Sequence, residues 1–227
     1  MVGANVKREN SAFMEGGKDS SFSLHTLRIQ NKYDVRYLLT TVTRDYGRIS
    51  MHGVRENLLL EQARRVSIES DIAYISKESN NEEYEKVMCT KIEKYKREGI
   101  SRVAFGDLFL EDIRKYREEK MSNTGVKCIF PIWGENTTKL ANDFIKAGFK
   151  AIICTVDPRK LGKENAGREF DETFLDSLPS EVDPCGENGE FHTFVYDGPI
   201  FNRSIPIRKG ETVLRDNFYF TDIMLEG

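Results

Sequence analysis

Four short stretches of this chain carry residue types that do chemistry. Gly16-Gly17-Lys18-Asp19-Ser20-Ser21 sets two glycines, a lysine and two hydroxyls directly after a short apolar run. Glycine lets a backbone approach a ligand closely, and the free N–H groups and dipole at a helix start favour an anion such as phosphate. RISMHGVR (Arg48 to Arg55) offers His52 and Arg55, and Gly106-Asp107 joins a glycine to a carboxylate. DPCGENGEFHTF (Asp183 to Phe194) packs Cys185, Glu187, Asn188, Glu190 and His192 into one glycine-rich segment. Two acids there can bind an ammonium ion, position a cationic substrate or move a proton, and a histidine titrates near neutral pH.

Each stretch also has a plainer reading. Lys18 and Asp19 can be a solvated pair, with Asp19 or Ser20 as a helix cap. Asp107 can cap the helix that GDLFLEDIR begins, and His52 can be a capping or packing histidine. Arg55, Arg114 and Arg117 can be solvated helix charges, with one arginine of the later pair turned toward a cleft. Cys185 can be a nucleophile or a buried structural thiol, and the second is expected. The Asp183, Cys185, Glu187, Glu190 and His192 group contains metal-ligand types without a recognised metal spacing. The glycine loop is not a Walker A loop: that spacing needs glycine at position 12 and a hydroxyl at 19, where the chain has Ala12 and Asp19. The dinucleotide spacing G-x-G-x-x-G also fails.

Alternating strands and helices must position these residues. Ala12 to Met14 is a short strand, and a helix from about Ser20 carries Leu24 and Leu27. YDVRYLLTTV (Tyr33 to Val42) is nearly continuous in hydrophobicity, as a strand buried on both faces should be, and the polar turn RDYGR ends it. A second helix is marked by Val54, Leu58, Leu59, Gln62, Ala63 and Val66. A third carries Tyr84, Val87, Met88, Ile92 and Tyr95 and stops at Gly99. Between and after them lie the strands DIAYIS, SRVAFGD and KCIFPIW (Lys127 to Trp133), with a further helix reaching about Met121. Short strand-helix-strand units predict an α/β fold with a doubly wound parallel five-stranded sheet, whose ligands bind at the carboxyl ends of the strands. GGKDSS and GDLF both fall at such ends.

After Trp133 the pattern changes. One helix ends at Gly148, FKAIICTVD is a strand, and from Pro158 the chain is loop-rich with short strands to its end. A nucleotide domain over 1–133 and a smaller α+β C-terminal domain over 134–227 are expected. Phe191, Phe194, Tyr196 and Phe201 read as strand core.

Composition limits the function classes. Lys plus Arg (34) nearly balances Asp plus Glu (37) over 227 residues, so no overall basic field favours nucleic acid. Cys89, Cys128, Cys154 and Cys185 are widely separated and read as reduced thiols. No apolar run approaches the roughly 20 residues of a membrane helix. A cytoplasmic protein without nucleic-acid or membrane partners is expected.

GGKDS resembles the pyrophosphate loop SGGxDS of the N-type ATP pyrophosphatases, the PP-loop, Rossmann-like (HUP) superfamily. RISMHGVR, FGDLFLEDIRKYRE, FPIWG, GREFD and DPCGENGEFHTF resemble, in order along nearly the whole chain, the diphthine-ammonia ligase family. That resemblance implies an ATP-dependent enzyme joining ammonia to a carboxylate with release of AMP and pyrophosphate. The carboxylate is diphthine on elongation factor 2 in archaea and eukaryotes, and another substrate in bacteria. It implies ATP and Mg²⁺ as cofactors, with a homodimer as a further expected assembly. The implied nucleotide-binding set is Gly16, Gly17, Lys18, Asp19, Ser20, Ser21, Thr41, Val42, His52, Arg55, Gly106 and Asp107. The catalytic set is Lys18, Asp19, Glu187, Glu190 and His192, with Asp19 also the Mg²⁺ ligand. The chain departs from the family at Glu15, where a serine usually precedes the glycines. A carboxylate cannot donate to phosphate, and two like charges ~4 Å apart repel by about 1 kcal/mol in water and about 4 near a protein surface. A weakened nucleotide module is therefore the alternative to an active ligase, alongside an enzyme adenylating a small metabolite.

Overall fold

The computed structural model describes residues 9–14 and 17–226. Glu15 and Gly16, and the expectations attached to them, lie outside the described residues. Five parallel strands form the first sheet: β1 (Glu9–Met14), β2 (Tyr33–Thr43), β4 (Glu69–Ile75), β5 (Arg102–Ala104) and β6 (Lys127–Ile129). Their order is β4–β2–β1–β5–β6. The two-residue β3 (Arg48–Ile49) adds an antiparallel pairing to Val42 and Thr43, past the point where β1 leaves β2. The predicted parallel sheet is thus present, with one short antiparallel strand added by the hairpin that RDYGR closes. Winding runs outward in both directions from the β1/β5 pair, which makes the carboxyl ends of these two strands the topological switch point.

The fifth parallel strand is shorter than the expected Lys127 to Trp133. Pro131 has no N–H to give a ladder, and the chain turns at once, Trp133 N–H donating to the Phe130 carbonyl at 3.3 Å. The first helix, α1 (Lys18–Gln30), starts two residues earlier than expected, with Gly17 at its cap position and no side-chain cap. Neither Asp19 nor Ser20 caps it.

Helices α2 (Glu56–Val66), α3 (Asn81–Arg97) and α4 (Glu111–Met121) complete the first layer system. Beyond α5 (Thr137–Lys146), β7 (Lys150–Val156), β8 (Phe191–Asp197), β9 (Ile207–Arg215) and β10 (Phe218–Leu225) form an antiparallel sheet in the order β8–β7–β10–β9; the short α6 (Glu172–Asp176) packs beside it. The two sheets share a core. Leu24, Leu27 and Leu38 belong to the same buried cluster as Phe144, Phe170, Phe174 and Phe191, and each such side chain contributes about 1.5–3 kcal/mol by leaving water. This shared core fixes the 183–192 segment opposite the end of β1.

Candidate functional site

A cleft of about 1140 Å³, counted with the solvent space at its mouth, opens at the switch point. Its floor is the corner from β1 to α1 and the end of β5. Two glycines make that corner possible. A Cβ on Gly106 would lie 2.9 Å from Ser20 N and 3.1 Å from Asp19 C, and one on Gly17 would lie 2.8 Å from the Thr193 carbonyl oxygen. Both contacts are with backbone, so β5 and β8 can approach the start of α1 only where no side chain intervenes.

Lys18 ties this corner to the second sheet. Its backbone N–H donates to Thr193 Oγ1 at 3.0 Å. Its side chain is buried: Nζ lies 2.8 Å from Asp19 Oδ2, donates to the Cys185 carbonyl, and sits over the rings of Phe170 (5.6 Å) and Phe191 (5.4 Å). Burial pushes the ammonium toward neutrality, but Asp19, Cys185 and Glu187 together outweigh this and its pKa ends above the ordinary value. Burial likewise raises the Asp19 carboxyl, against the pull of Lys18. Asp19 and Ser20 both line the cleft.

The opposite wall is the segment 183–192, folded on itself. Asp183 Oδ1 accepts from the Cys185 N–H at 2.8 Å and the Glu187 N–H at 3.3 Å, and Gly186 and Gly189 take positive φ of 66° and 83°. Glu190 is buried and accepts from the Asp183 N–H, the Asn188 N–H and Asn188 Nδ2 at 3.0–3.1 Å. It holds the loop together and does not line the cleft. Glu187 does, with Oε1 accepting the Leu108 N–H at 2.8 Å. Burial, reinforced by the Asp19 and Asp107 charges, pushes its carboxyl up to about 7 despite that hydrogen bond and Lys18. A carboxyl poised there exists in both forms near neutral pH, as a proton-transfer group requires.

His52 and His192 close the third side, their rings stacked at 4.5 Å and 23°. Burial pushes His52 down to about 4, a backbone bond with Thr193 and the Lys18 charge being lesser influences, and burial with its neighbours holds His192 well below the ordinary range. Both rings are neutral at pH 7. Thr41, Ser50, Tyr84 and Arg117 complete the lining. Asp107 pairs with Arg117 at 2.7 Å instead of capping α4, which begins only at Glu111. Arg114 lies over Phe130 and Trp133 at 4.9 and 4.7 Å.

The structure thus brings Gly17, Lys18, Asp19, Ser20, Thr41, His52, Gly106, Asp107, Glu187 and His192 to one cleft. It leaves four expected residues away from it. Val42 is fully buried in the core because adjacent strand residues face opposite ways and Thr41 takes the cleft side. Ser21 turns into a small cavity with Leu24 and Leu38. Arg55 pairs with Asp222 at 2.6 Å on β10, and Glu190 is held by its loop. Thr193, Ser50 and Tyr84 were not singled out from the sequence, although Thr193 directly follows His192 in the most specific motif.

For Mg²⁺, no three His, Cys, Asp or Glu side chains converge among the described residues. An ion that keeps several waters and takes its other ligands from phosphates needs only one or two carboxylates; Asp19 lines the cleft, with both of its oxygens accepting from Lys18 Nζ.

The sheet order and its cleft define a doubly wound α/β protein with its ligand crevice at the switch point. The chain belongs to the diphthamide synthase family: the family model for the diphthamide synthase N-terminal domain matches residues 8–128, and that for the C-terminal domain matches residues 136–224. It is 28% identical to a diphthine–ammonia ligase of Mus musculus over 241 aligned positions, covering 94% of this chain and 88% of the relative, and 28% identical to that of Bos taurus, covering 89% and 84%. A match to the Schizosaccharomyces pombe diphthine–ammonia ligase, 29% identical, covers 43% of this chain but only 18% of that longer protein.

Proposed function

We propose that this protein is an ATP-dependent ligase that forms an amide from a carboxylate and ammonia, releasing AMP and pyrophosphate. The observation that carries the reading is the cleft itself: a glycine-lined helix start at the switch point, faced by a loop that presents one carboxyl poised near neutrality. The nucleotide domain is 1–133, and 134–227 completes the substrate side.

In this reading the start of α1, at Gly17 to Ser20, holds the triphosphate where the helix dipole favours anions. A substrate carboxylate oxygen attacks the α-phosphorus, the bond to the β-phosphate bridging oxygen breaks, and pyrophosphate leaves. Ammonia then attacks the acyl carbon, AMP leaves with the bonding pair, and one proton is lost. Glu187 as carboxylate, or neutral His192, accepts that proton. Mg²⁺, bound with the nucleotide, would offset phosphate charge, with Asp19 as a protein ligand. The family relatives favour diphthine on elongation factor 2 as the carboxylate.

The test is AMP and pyrophosphate release from ATP with ammonium and diphthine-bearing elongation factor 2. Release that needs both co-substrates supports the reading; ATP cleavage indifferent to ammonium overturns it.

One observation favours a second reading, a nucleotide-binding module without turnover. The Lys18 ammonium is already engaged by Asp19 and Cys185 beneath two aromatic rings. Binding of a non-hydrolysable ATP analogue with no AMP formed from ATP under any co-substrate would select it.

A further inference from the structure

A second cavity of about 750 Å³ lies on the far side of the turn 49–53, and shares His192, Ile49, Ser50 and Met51 with the nucleotide cleft. That turn is a thin partition. Met51 and Gly53 both take φ of 66°, and Met51 is 65% exposed at the apex. A Cβ on Gly53 would meet Phe220 at 2.6 Å, so glycine lets the partition lie flat on β10.

The cavity is aromatic, with Tyr46, Phe218 and Phe220, and carries two arginines whose states differ. Arg48 is committed: Nη1 donates to the Gly53 carbonyl at 2.7 Å and Nη2 to Asp222 at 3.0 Å. The guanidinium of Arg215 lies over Tyr46 and Phe220 at 5.3 and 4.9 Å, and its Nε is buried without a hydrogen-bond partner. Its ion-pair partner, Asp216, stands at 3.6 Å and is 82% exposed. The Arg215 side chain is 41% exposed, and a guanidinium offers edge donors in the fork geometry that fits a carboxylate, while the rings suit a planar or apolar body beside it.

We infer that this cavity is a subsite for an organic carboxylate, gripped by Arg215 and packed on Tyr46, Phe218 and Phe220. Identifying that ligand as the acceptor of the amide-forming reaction rests on the ligase reading. The cavity adjoins the nucleotide cleft at Ile49, Ser50, Met51 and His192, which line both.

The test uses the full chain, with backbone amide shifts followed by NMR during titration with 3-phenylpropionate, its uncharged amide 3-phenylpropionamide, and inorganic phosphate. The acid should shift Ser50, Gly53, Phe218 and Phe220. The amide should bind about tenfold or more weakly, the ratio expected for losing a charge-assisted hydrogen bond, and phosphate should not displace the acid. Arg215→Gln should erase the preference for acid over amide and Arg215→Lys should restore part of it, with the spectra themselves reporting that each variant is folded. Equal affinity for acid and amide, displacement by phosphate at equal concentration, or shifts centred on Gly17 and Gly106 instead would overturn the subsite. The two readings separate cleanly. An Arg215-dependent acid preference in a protein that forms no AMP keeps the subsite and removes the ligase; AMP formation with an unchanged acceptor KM in Arg215→Gln keeps the ligase and removes the acceptor from this cavity.

Discussion

Residues 17–21 and 183–192 face each other across one cleft, both carry glycine and charge, and they are held in opposite ways. At 17–21 the side chains of Lys18 and Asp19 are committed to each other, and the Lys18 N–H is given to Thr193 Oγ1. At 183–192 the backbone is consumed by the turns that Asp183 and Glu190 close, and one side chain, Glu187, is left at the tip. The difference teaches that the first segment is closed by its own buried ion pair, whereas the second presents a carboxyl to the cleft. Substitutions can separate these two modes.

The largest effect is expected at Lys18. Replacing it with methionine leaves Asp19 without its cation beneath the Phe170 and Phe191 rings. Breaking a buried pair from one side costs about 3 kcal/mol or more. Urea unfolding of Lys18→Met should show that loss, and the Asp19→Asn, Lys18→Met double variant should recover part of it. The sequence alone suggests that Lys18→Ala stops turnover and leaves the fold intact; burial of the side chain predicts loss of stability as well. Equal stability of wild type and Lys18→Met would mean that the lysine lies free in the cleft.

Next come the glycine contacts. Gly106→Ala pushes a methyl against Ser20 N and Asp19 C, backbone atoms that move only if α1 moves. A cost of about 1–3 kcal/mol is expected, with a weaker affinity for a non-hydrolysable ATP analogue measured by calorimetry. Gly134→Ala, where a Cβ meets nothing but φ is 75°, should cost about 1 kcal/mol through strain alone and leave that affinity unchanged.

The two acids of the 183–192 segment sharpen the comparison further. Glu190→Gln cannot accept from both Asn188 donors and Asp183 as the carboxylate does, and should cost about 2 kcal/mol. Glu187→Gln should not destabilise, and its signature is in pH. The folded pKa of Glu187 is raised from 4.5 to about 7, so between these values the folded chain holds a proton that the unfolded chain has released. Its contribution to stability therefore falls as pH rises from about 4.5 to about 7 and is level above. Denaturant midpoints across that window should flatten in Glu187→Gln, and the neutral-pH limb of the activity profile should vanish with it. A slope unchanged by the substitution would show that Glu187 is solvated.

Much of this arrangement was legible in the sequence because it rests on local pattern. Continuous apolar runs such as Tyr33 to Val42 mark strands covered on both faces, and glycines at strand ends mark the places of close approach. What the sequence hid depends on partners remote in the chain. Nothing near Lys18 announces the Cys185 carbonyl or the Phe170 and Phe191 rings, and the two glutamates three positions apart look alike until the loop is closed. Two misplacements were avoidable in principle. Strand alternation allows only one of Thr41 and Val42 to face a ligand, and Ser21 stands three residues before Leu24 on the buried side of its helix.

Arg55 gives the smallest effect and the cleanest separation of motif from geometry. It lies within RISMHGVR, two residues beyond the glycine that follows His52, and from the sequence both side chains belong to one nucleotide-facing group. The structure splits them: His52 lines the cleft, whereas Arg55 turns to Asp222, Nε and Nη2 donating at 2.9 and 2.6 Å while Arg48 holds the same carboxylate. The pair lowers the Asp222 carboxyl through those bonds, so its share of stability is present at neutral pH and is lost on acidification through the folded pKa, below the ordinary carboxylate value. With the arginine 42% exposed, Arg55→Ala should cost no more than about 1 kcal/mol. Affinity for the ATP analogue should stay within about twofold, since a lost charged contact to phosphate would cost at least tenfold. A tenfold loss in Arg55→Ala would mean that the guanidinium leaves Asp222 when nucleotide binds, and that the motif, not the resting geometry, names its partner.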